Sequence, residues 1–349
     1  MKTLKPHIIF LTPGFAESEK DSATIPALQV YLKALQKAKP EIKMTLIAFQ
    51  FPFSNENYIW NDINIIPING RNRRVKKLWV WKKAFLTLNK LHKENPIIAI
   101  HSFWIGECSL IGSRFSKQHN IKHIVTAMGQ DANLGNRHIK SIESHNTQVV
   151  TLSKNQHSSL LENYNINSEI IPWFLDDVSF SELKASTIDI LAVGSLNKVK
   201  NYELFISIIA SLIKTHSHIK VEIIGEGIEQ KKTENKIALL GLTKAITLVG
   251  KLDRKKVIEK MMQSDILLHT SNYESFGFVF LEALSTGMKI VSKNVGIADE
   301  NNEKWAVCNT EIEMIESCTK FLDSTTKKER VILNSKEFTI SAYLKLYNE

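Results

Sequence analysis

Ser271-Asn-Tyr-Glu-Ser-Phe-Gly-Phe-Val-Phe-Leu-Glu-Ala-Leu-Ser-Thr-Gly287 holds two carboxylates, Glu274 and Glu282, with seven residues between them. The apolar run Asp265–His269 ahead of it reads as a buried strand, and Met288–Val291 behind it reads as another. From Phe276 to Leu284 every residue but Gly277 and Glu282 is apolar, so the segment reads as a buried helix that Gly287 stops. A carboxylate on such a helix is costly unless something pairs with it. Glu274 and Ser275 fall where strand turns into helix, and there free backbone N–H groups and the positive end of the helix dipole attract anions. Strand, polar loop, helix N-terminus and an inward carboxylate together describe a site for a phosphorylated ligand that carries hydroxyls.

Upstream of this stretch the same βα rhythm repeats. Ile188–Gly194 reads as a strand, Ser195–Asn201 as a basic loop and Tyr202–Lys214 as a helix. Strand Lys220–Ile224 with Gly225-Glu-Gly227, helix Glu229–Leu240, strand Ile246–Val249, loop Gly250–Asp253 and helix Arg254–Gln263 follow. Lys198 and Lys200 read either as surface lysines or, after a strand and a glycine and before a helix, as a phosphate clamp. Gly225-Glu-Gly227 is only a fragment of a Gly-x-Gly-x-x-Gly fingerprint, which argues against a dinucleotide redox enzyme.

The N-terminal half alternates in the same way. Its expected strands are His7–Thr12, Met44–Phe49, Ile63–Pro67, Ile97–His101, His123–Thr126, Gln148–Leu152 and Glu169–Ile171. Its expected helices include Ile25–Ala38, Val75–Glu94 and Cys108–His119, so a mainly parallel sheet with helices on both faces is expected. Pro13-Gly14 after the first strand reads as a place where a phosphate approaches backbone, or simply as a turn. His101 and Asp131 end up in loops at the carboxyl ends of strands, where open sheets bind ligands; the competing reading of His101 is a hydrogen-bonded structural residue.

A chain of 349 residues suits two domains, and Asp177–Ser186 reads as the linker between them. Cys108, Cys308 and Cys318 have neither metal-ligand nor redox spacing, so a reducing cytoplasm is expected. No apolar run approaches membrane length. The net charge of +9 sits wholly in residues 1–176, which carry 22 Lys and Arg against 13 Asp and Glu. That half should meet something anionic. Its focus is Arg71-Asn-Arg-Arg-Val-Lys-Lys-Leu-Trp-Val-Trp-Lys-Lys83, where Leu78, Trp79 and Trp81 interleave with cations. One reading is a peripheral surface on the inner face of the cytoplasmic membrane; the other is a helix with its tryptophans packed inward and a solvated basic face. Nucleic acid is not expected, since no recognised binding module accompanies the charge.

Four blocks carry a resemblance: Val193-Gly-Ser-Leu-Asn-Lys-Val-Lys200-Asn201, Val221-Glu-Ile-Ile-Gly225-Glu-Gly227, Leu248-Val-Gly250 and Glu274–Gly287. In that order they resemble the retaining glycosyltransferases of family four, clearly over residues 188–295 and faintly over 1–175. The resemblance implies the GT-B fold of two facing Rossmann-like domains. These would be an acceptor-side domain at 1–176, a nucleotide-sugar domain at 177–335, and a terminal helix at 336–349 that crosses back to the first. The implied donor is a UDP- or GDP-linked sugar, and the implied acceptor is a cell-envelope glycan or a lipid-linked acceptor. No cofactor and no metal would be needed. Glu274 would hold hydroxyls of the transferred sugar, with Ser275, Phe276 and Gly277 nearby, and Glu282 would hold the ribose. Lys200 would neutralise the leaving diphosphate together with N–H groups at Gly14, while Ser195 and Gly225 belong to the phosphate loops and Gly250, Lys251 and Leu252 border the base. His101 joins Glu274 and Lys200 as a catalytic candidate. Three positions depart from the family pattern: Ser195 stands where an arginine is frequent, Met128 where a histidine is frequent, and Lys289 where proline is usual. A sugar-nucleotide epimerase and a binding protein that has lost catalysis are the alternatives.

Overall fold

The structure is a computed structural model that describes residues 5–22, 24–142, 146–176, 185–298 and 302–348. The chain divides into two compact units, one made of Met1–Asp176 with Asn334–Glu349 and the other of Asp177–Leu333. Most of the expected linker, residues 177–184, lies outside the described residues.

The first unit is built on β1 (His7–Gly14), β2 (Lys43–Phe51), β3 (Tyr58–Trp60), β4 (Ile63–Pro67), β5 (Ile97–Phe103), β6 (Lys122–Thr126), β7 (Thr147–Thr151) and β8 (Glu169–Ile170). Their order in the sheet is β3-β4-β2-β1-β5-β6-β7-β8. Every neighbouring pair is parallel except β3 with β4, a short antiparallel edge hairpin. Helices α1 (Pro26–Ala38), α2 (Lys77–Glu94), α3 (Glu107–His119) and α4 (Lys154–Tyr164) connect the strands. Side chains alternate along β1. Ile9 and Leu11 enter a core with Val80, Ala84 and Leu88 of α2 and Ile111 and Phe115 of α3, while Phe10 enters the opposite face.

The second unit holds β9 (Ile188–Val193), α5 (Tyr202–Leu212), β10 (Val221–Ile224), α6 (Gln230–Leu239), β11 (Ile246–Gly250), α7 (Arg254–Met262), β12 (Ser264–His269), α8 (Phe278–Ser285), β13 (Lys289–Ser292), β14 (Trp305–Val307) and α9 (Glu311–Leu322). The sheet order is β11-β10-β9-β12-β13-β14, all parallel. Both faces are covered: Ile190 and Ala192 pack towards α5 and α9, and Leu191 and Val193 towards α7 and α8. The order runs outward from β9 to β11 and then resumes on the other side at β12. Such a reversal leaves a crevice at the carboxyl ends of β9 and β12, where open α/β sheets take their ligands.

The last helix, α10 (Lys336–Asn348), belongs to the first unit, and it closes a buried polar network there. The Tyr347 hydroxyl lies 2.7 Å from that of Tyr31 and 2.6 Å from Nδ1 of His101. His101 Nε2 lies 2.8 Å from the Thr126 hydroxyl, which lies 3.0 Å from that of Tyr343. The Trp173 indole N–H donates to Tyr343 at 3.3 Å, and its ring stacks on Tyr31. This corrects the expectation for His101. It is fully buried with both ring nitrogens engaged, and burial, followed by the nearby His123, pushes its pKa well below the ordinary value. A neutral, enclosed imidazole of this kind orders the core and touches no open surface.

Candidate active site

At the β9–β12 crevice the two following loops are tied to each other. After β9, Gly194 adopts φ 154°, and a Cβ there would come within 3.0 Å of Cε of Lys200. The Asn197 side chain accepts from the N–H groups of Val199 (3.0 Å) and Lys200 (3.2 Å), which winds residues 198–200 into a single turn. Asn201, left-handed at φ 51°, caps α5 by accepting from Leu204 N–H. The loop after β12 grips this turn: Asn272 N–H donates to the Val199 carbonyl at 2.8 Å, and Thr270 Oγ1 lies 3.0 Å from the Lys200 carbonyl.

These fixings bring Lys200 onto Glu274. The Lys200 ammonium forms an ion pair with Oε1 of Glu274. The same oxygen lies 2.9 Å from His269 Nε2 and accepts from Ser271 Oγ at 3.2 Å. All three contacts converge on Oε1, so the carboxylate is held at that oxygen. Burial pushes the Glu274 carboxyl up, but the hydrogen bond from His269 and the charge of Lys200 outweigh it and hold the pKa at about 2. His269 is buried at the end of β12 under the ring of Phe280, and burial lowers its pKa despite the carboxylate beside it. In the sequence His269 is only the last residue of an apolar run. The signal was present, because a polar residue that ends a buried strand at a crevice points into the loops.

Glu282 sits one helix further on. Its Oε1 accepts from Nε of Arg254 at 3.2 Å, and burial raises its pKa in spite of that guanidinium. Arg254 begins α7, whose N-terminus Asp253 caps by accepting from Lys256 N–H. The expectation that Glu282 needs a partner is met by a residue that sequence reading did not single out. Helix α8 begins at Phe278, two residues later than expected, because Gly277 is left-handed at φ 87° and a Cβ there would fall 2.6 Å from the Phe280 ring. Phe276 is buried and its carbonyl accepts from Ile297 N–H at 3.0 Å, while Ser275 is half-buried.

The remaining glycines divide by cause. A Cβ on Gly225 would fall 2.0 Å from the Gly194 carbonyl oxygen, and one on Gly227 would fall 2.3 Å from that of Leu196. Both are small because the loops after β9 and β10 run backbone against backbone. Gly250 is left-handed at φ 80° beside open space, Lys251 is exposed with its ammonium 3.5 Å from Glu226, and Leu252 is half-buried against the α7–α8 core. Ser195 is exposed.

In the first unit, Gly14 is still part of β1 and is buried, with its carbonyl accepting from Thr12 Oγ1. Pro13-Gly14 is thus the irregular end of a strand. Asp131 is a clamp: its carboxylate accepts from the N–H groups of Ile105 (2.7 Å), Gly129 (2.6 Å) and Met128 (3.3 Å). The basic segment 71–83 splits its two tryptophans. Trp81 packs against the α2–α3 core. Trp79 stays 46% exposed beside Leu78 (75%) and Val75 (93%), with the ammonium groups of Lys83 and Lys76 at 5.0 and 5.9 Å from its ring. Among the described residues no helix is long and apolar enough to cross a membrane, and no group of three or more His, Cys, Asp or Glu side chains is placed to share a metal ion.

Two α/β units, the second with a charged cluster at the reversal of a parallel sheet, define a protein of the GT-B fold. Residues 176–338, which span the second unit, match the model of the family described as glycosyl transferases group 1. An uncharacterized glycosyltransferase of Methanocaldococcus jannaschii is 24% identical over 337 residues, which cover 90% of either chain. The phosphatidylinositol N-acetylglucosaminyltransferase GPI3 subunit of Saccharomyces cerevisiae is 28% identical over 138 residues, covering 40% of this chain and 30% of that one. The chain thus spans about a third or less of the length of the first relatives it matches. Among solved structures, Anabaena HepE in complex with UDP and glucose superposes with a TM-score of 0.65 at 14% identity, covering 99% of this chain and 95% of that one.

Proposed function

We propose that the chain is a retaining glycosyltransferase that moves a sugar from a nucleotide-sugar donor to a cell-envelope glycan or a lipid-linked acceptor. The observation that carries this is the convergence of Lys200, His269 and Ser271 on one oxygen of Glu274 at the β9–β12 reversal. On this reading Glu274, fixed through that oxygen, accepts hydroxyls of the donor sugar, and Glu282, steadied by Arg254, accepts those of the ribose. Breaking the bond between the sugar and the diphosphate leaves negative charge on the phosphate. A fixed lysine and helix N-termini stabilise that charge as it develops, without a metal being required. In retention by front-face attack, the acceptor oxygen bonds to the anomeric carbon as the phosphate oxygen leaves from the same side. The departing phosphate takes the acceptor's proton, so no protein nucleophile is needed.

UDP in the HepE complex supports a UDP-linked donor, and the phosphatidylinositol named for the yeast relative supports an acceptor at a lipid surface. The exposed Val75–Leu78–Trp79 patch among Arg73, Arg74, Lys76 and Lys83 gives the first unit a face suited to an anionic bilayer. The test is thermal shift and nucleotide release with UDP-glucose, UDP-galactose, UDP-N-acetylglucosamine and GDP-mannose. One donor should stabilise the chain, by about 2.7 kcal/mol at a hundredfold excess over Kd, and should be slowly hydrolysed. Failure of every donor to bind or turn over would overturn the reading.

A further inference from the structure

The groups that meet on Oε1 of Glu274 differ in how firmly they are held. The Lys200 ammonium ends a flexible side chain that is 20% exposed. The His269 side chain is 4% exposed and packed on every side. Its ring meets that of Phe280 edge-on, with centroids 4.8 Å apart, and Phe280 packs in turn on Trp305 at 4.6 Å. The Trp305 indole N–H donates to Ser292 Oγ at 2.8 Å, and Ser292 is the neighbour of His269 in the β12–β13 register. Gly277 leaves room for this stack, since a Cβ there would fall 2.6 Å from the Phe280 ring. The tautomer follows from the acceptor. An ionised carboxylate has no proton to give, so Nε2 of His269 carries the hydrogen at the 2.9 Å contact. Burial lowers the pKa of the imidazole, which agrees with an uncharged donor.

We propose that His269 is a positioning residue: it keeps Glu274 in place for the transferred sugar when Lys200 leaves that carboxylate for the diphosphate of the donor. The inference rests on the transferase reading. A diphosphate carries more negative charge than one carboxylate and competes for the same ammonium. Lys200 can follow it, because its side chain is long and partly exposed. Glu274 would then be a buried carboxylate without its cation, which is costly unless other donors hold it. Two neutral donors remain, the imidazole N–H of His269 and the hydroxyl of Ser271 at 3.2 Å. His269 is the better fixed of the two, through Phe280 and Trp305. Other titratable groups of the surrounding elements are engaged elsewhere: the Tyr202 hydroxyl donates to the Gly194 carbonyl at 2.9 Å, and the Lys293 ammonium donates to Asn272 Oδ1 at 2.7 Å.

Two substitutions in the full chain separate the hydrogen bond from the packing. His269→Phe keeps a ring against Phe280 and removes the N–H, whereas His269→Gln gives up the ring and keeps an N–H near the place of Nε2. With the sugar nucleotide that the parent turns over, His269→Phe should lower kcat for nucleotide release about ten- to a hundredfold. The donor KM should change less than about threefold, because Glu282 and the phosphate contacts still anchor the donor. His269→Gln should recover most of the lost kcat, and His269→Phe should add no further loss in a Glu274→Ala background. A Phe variant as active as the parent, a Gln variant no better than Phe, or a full additional loss in Glu274→Ala would each overturn the proposal. Should neither variant fold, nitrogen-15 spectra of the parent's histidines decide. His269 should be neutral with its proton on Nε2, both free and with saturating donor; a charged ring, or a proton on Nδ1 once donor is bound, would refute the role. A chain that takes no sugar nucleotide refutes the transferase and this inference with it, while a donor turned over equally by parent and Phe variant refutes the role of His269 alone.

Discussion

The hydroxyl of Tyr347, two residues from the end of the chain, lies 2.6 Å from Nδ1 of His101 in the centre of the first unit's sheet. The same hydroxyl reaches Tyr31. Tyr347→Phe keeps the ring packing but strands the imidazole nitrogen and the Tyr31 hydroxyl in a buried site. Each unsatisfied group costs about 1–3 kcal/mol, so calorimetry of the full chain should show the first unit destabilised by about 2–6 kcal/mol. A change under about 0.5 kcal/mol would mean the network contributes nothing.

Acid should loosen the first unit. His7, His101 and His123 are buried; burial lowers His7 to about 4 and His123 to about 3, with His101 well below its ordinary value. In the unfolded chain each would take a proton near pH 6.5. Folded pKa values below unfolded ones mean that this contribution is complete above about pH 6.5 and is lost progressively as pH falls towards 4. Each group that stays neutral in the folded chain there adds a slope of up to about 1.4 kcal/mol per pH unit. Melting temperatures that do not fall between pH 7 and pH 5 would show that these imidazoles protonate freely in the folded chain.

The parallel strands were readable because a strand covered on both faces is a continuous apolar run, as in Ile188–Val193. The edge strand Tyr58–Trp60 was not, since three residues hold no period. The Glu274 loop was readable as a polar break between two apolar runs, whereas Arg254 was not, because only the packing of α7 on α8 brings it to Glu282. Gly225 has a cause that the sequence does not show. A glycine required by a neighbouring backbone and a glycine required by a phosphate look alike in one dimension, and only the 2.0 Å approach to Gly194 separates them.

Glu274 should stay ionised through the whole working range, because His269 and Lys200 hold it at about 2 against its burial. Nucleotide release from the accepted donor should therefore show no acid limb at pH 4–5 that belongs to this group. Removing the cation in Lys200→Ala should lower turnover by about 10²–10³ and shift the Glu274 pKa upward, so that an acid limb emerges. A variant with unchanged turnover and an unchanged profile would place the phosphate elsewhere.

Arg254→Leu should leave Glu282 buried with its ion pair broken. The carboxyl is already raised by burial, and without the guanidinium it rises further. A raised folded pKa means that the contribution is full below the unfolded value and is lost as pH rises through the folded one. The variant should therefore match the parent near pH 4 and fall behind it at pH 8, by about 1–3 kcal/mol given the partial exposure of Arg254. A penalty independent of pH would assign Arg254 a packing role only.

Replacing Arg73, Arg74 and Lys76 with Ser should weaken sedimentation with vesicles that contain phosphatidylserine. Each cation near an anionic surface contributes about 1 kcal/mol, so three removals should lower the partition coefficient by about a hundredfold at low salt. Trp79→Ala should add to the loss, because Lys76 and Lys83 flank an indole that stays 46% exposed and carries the apolar part of the face. Raising the salt to about 0.5 M should erase most of the electrostatic part while the Trp79 contribution persists. If the parent chain fails to sediment with these vesicles, or the triple variant sediments as well as the parent does, residues 71–83 are a solvated basic face and the acceptor is met in solution.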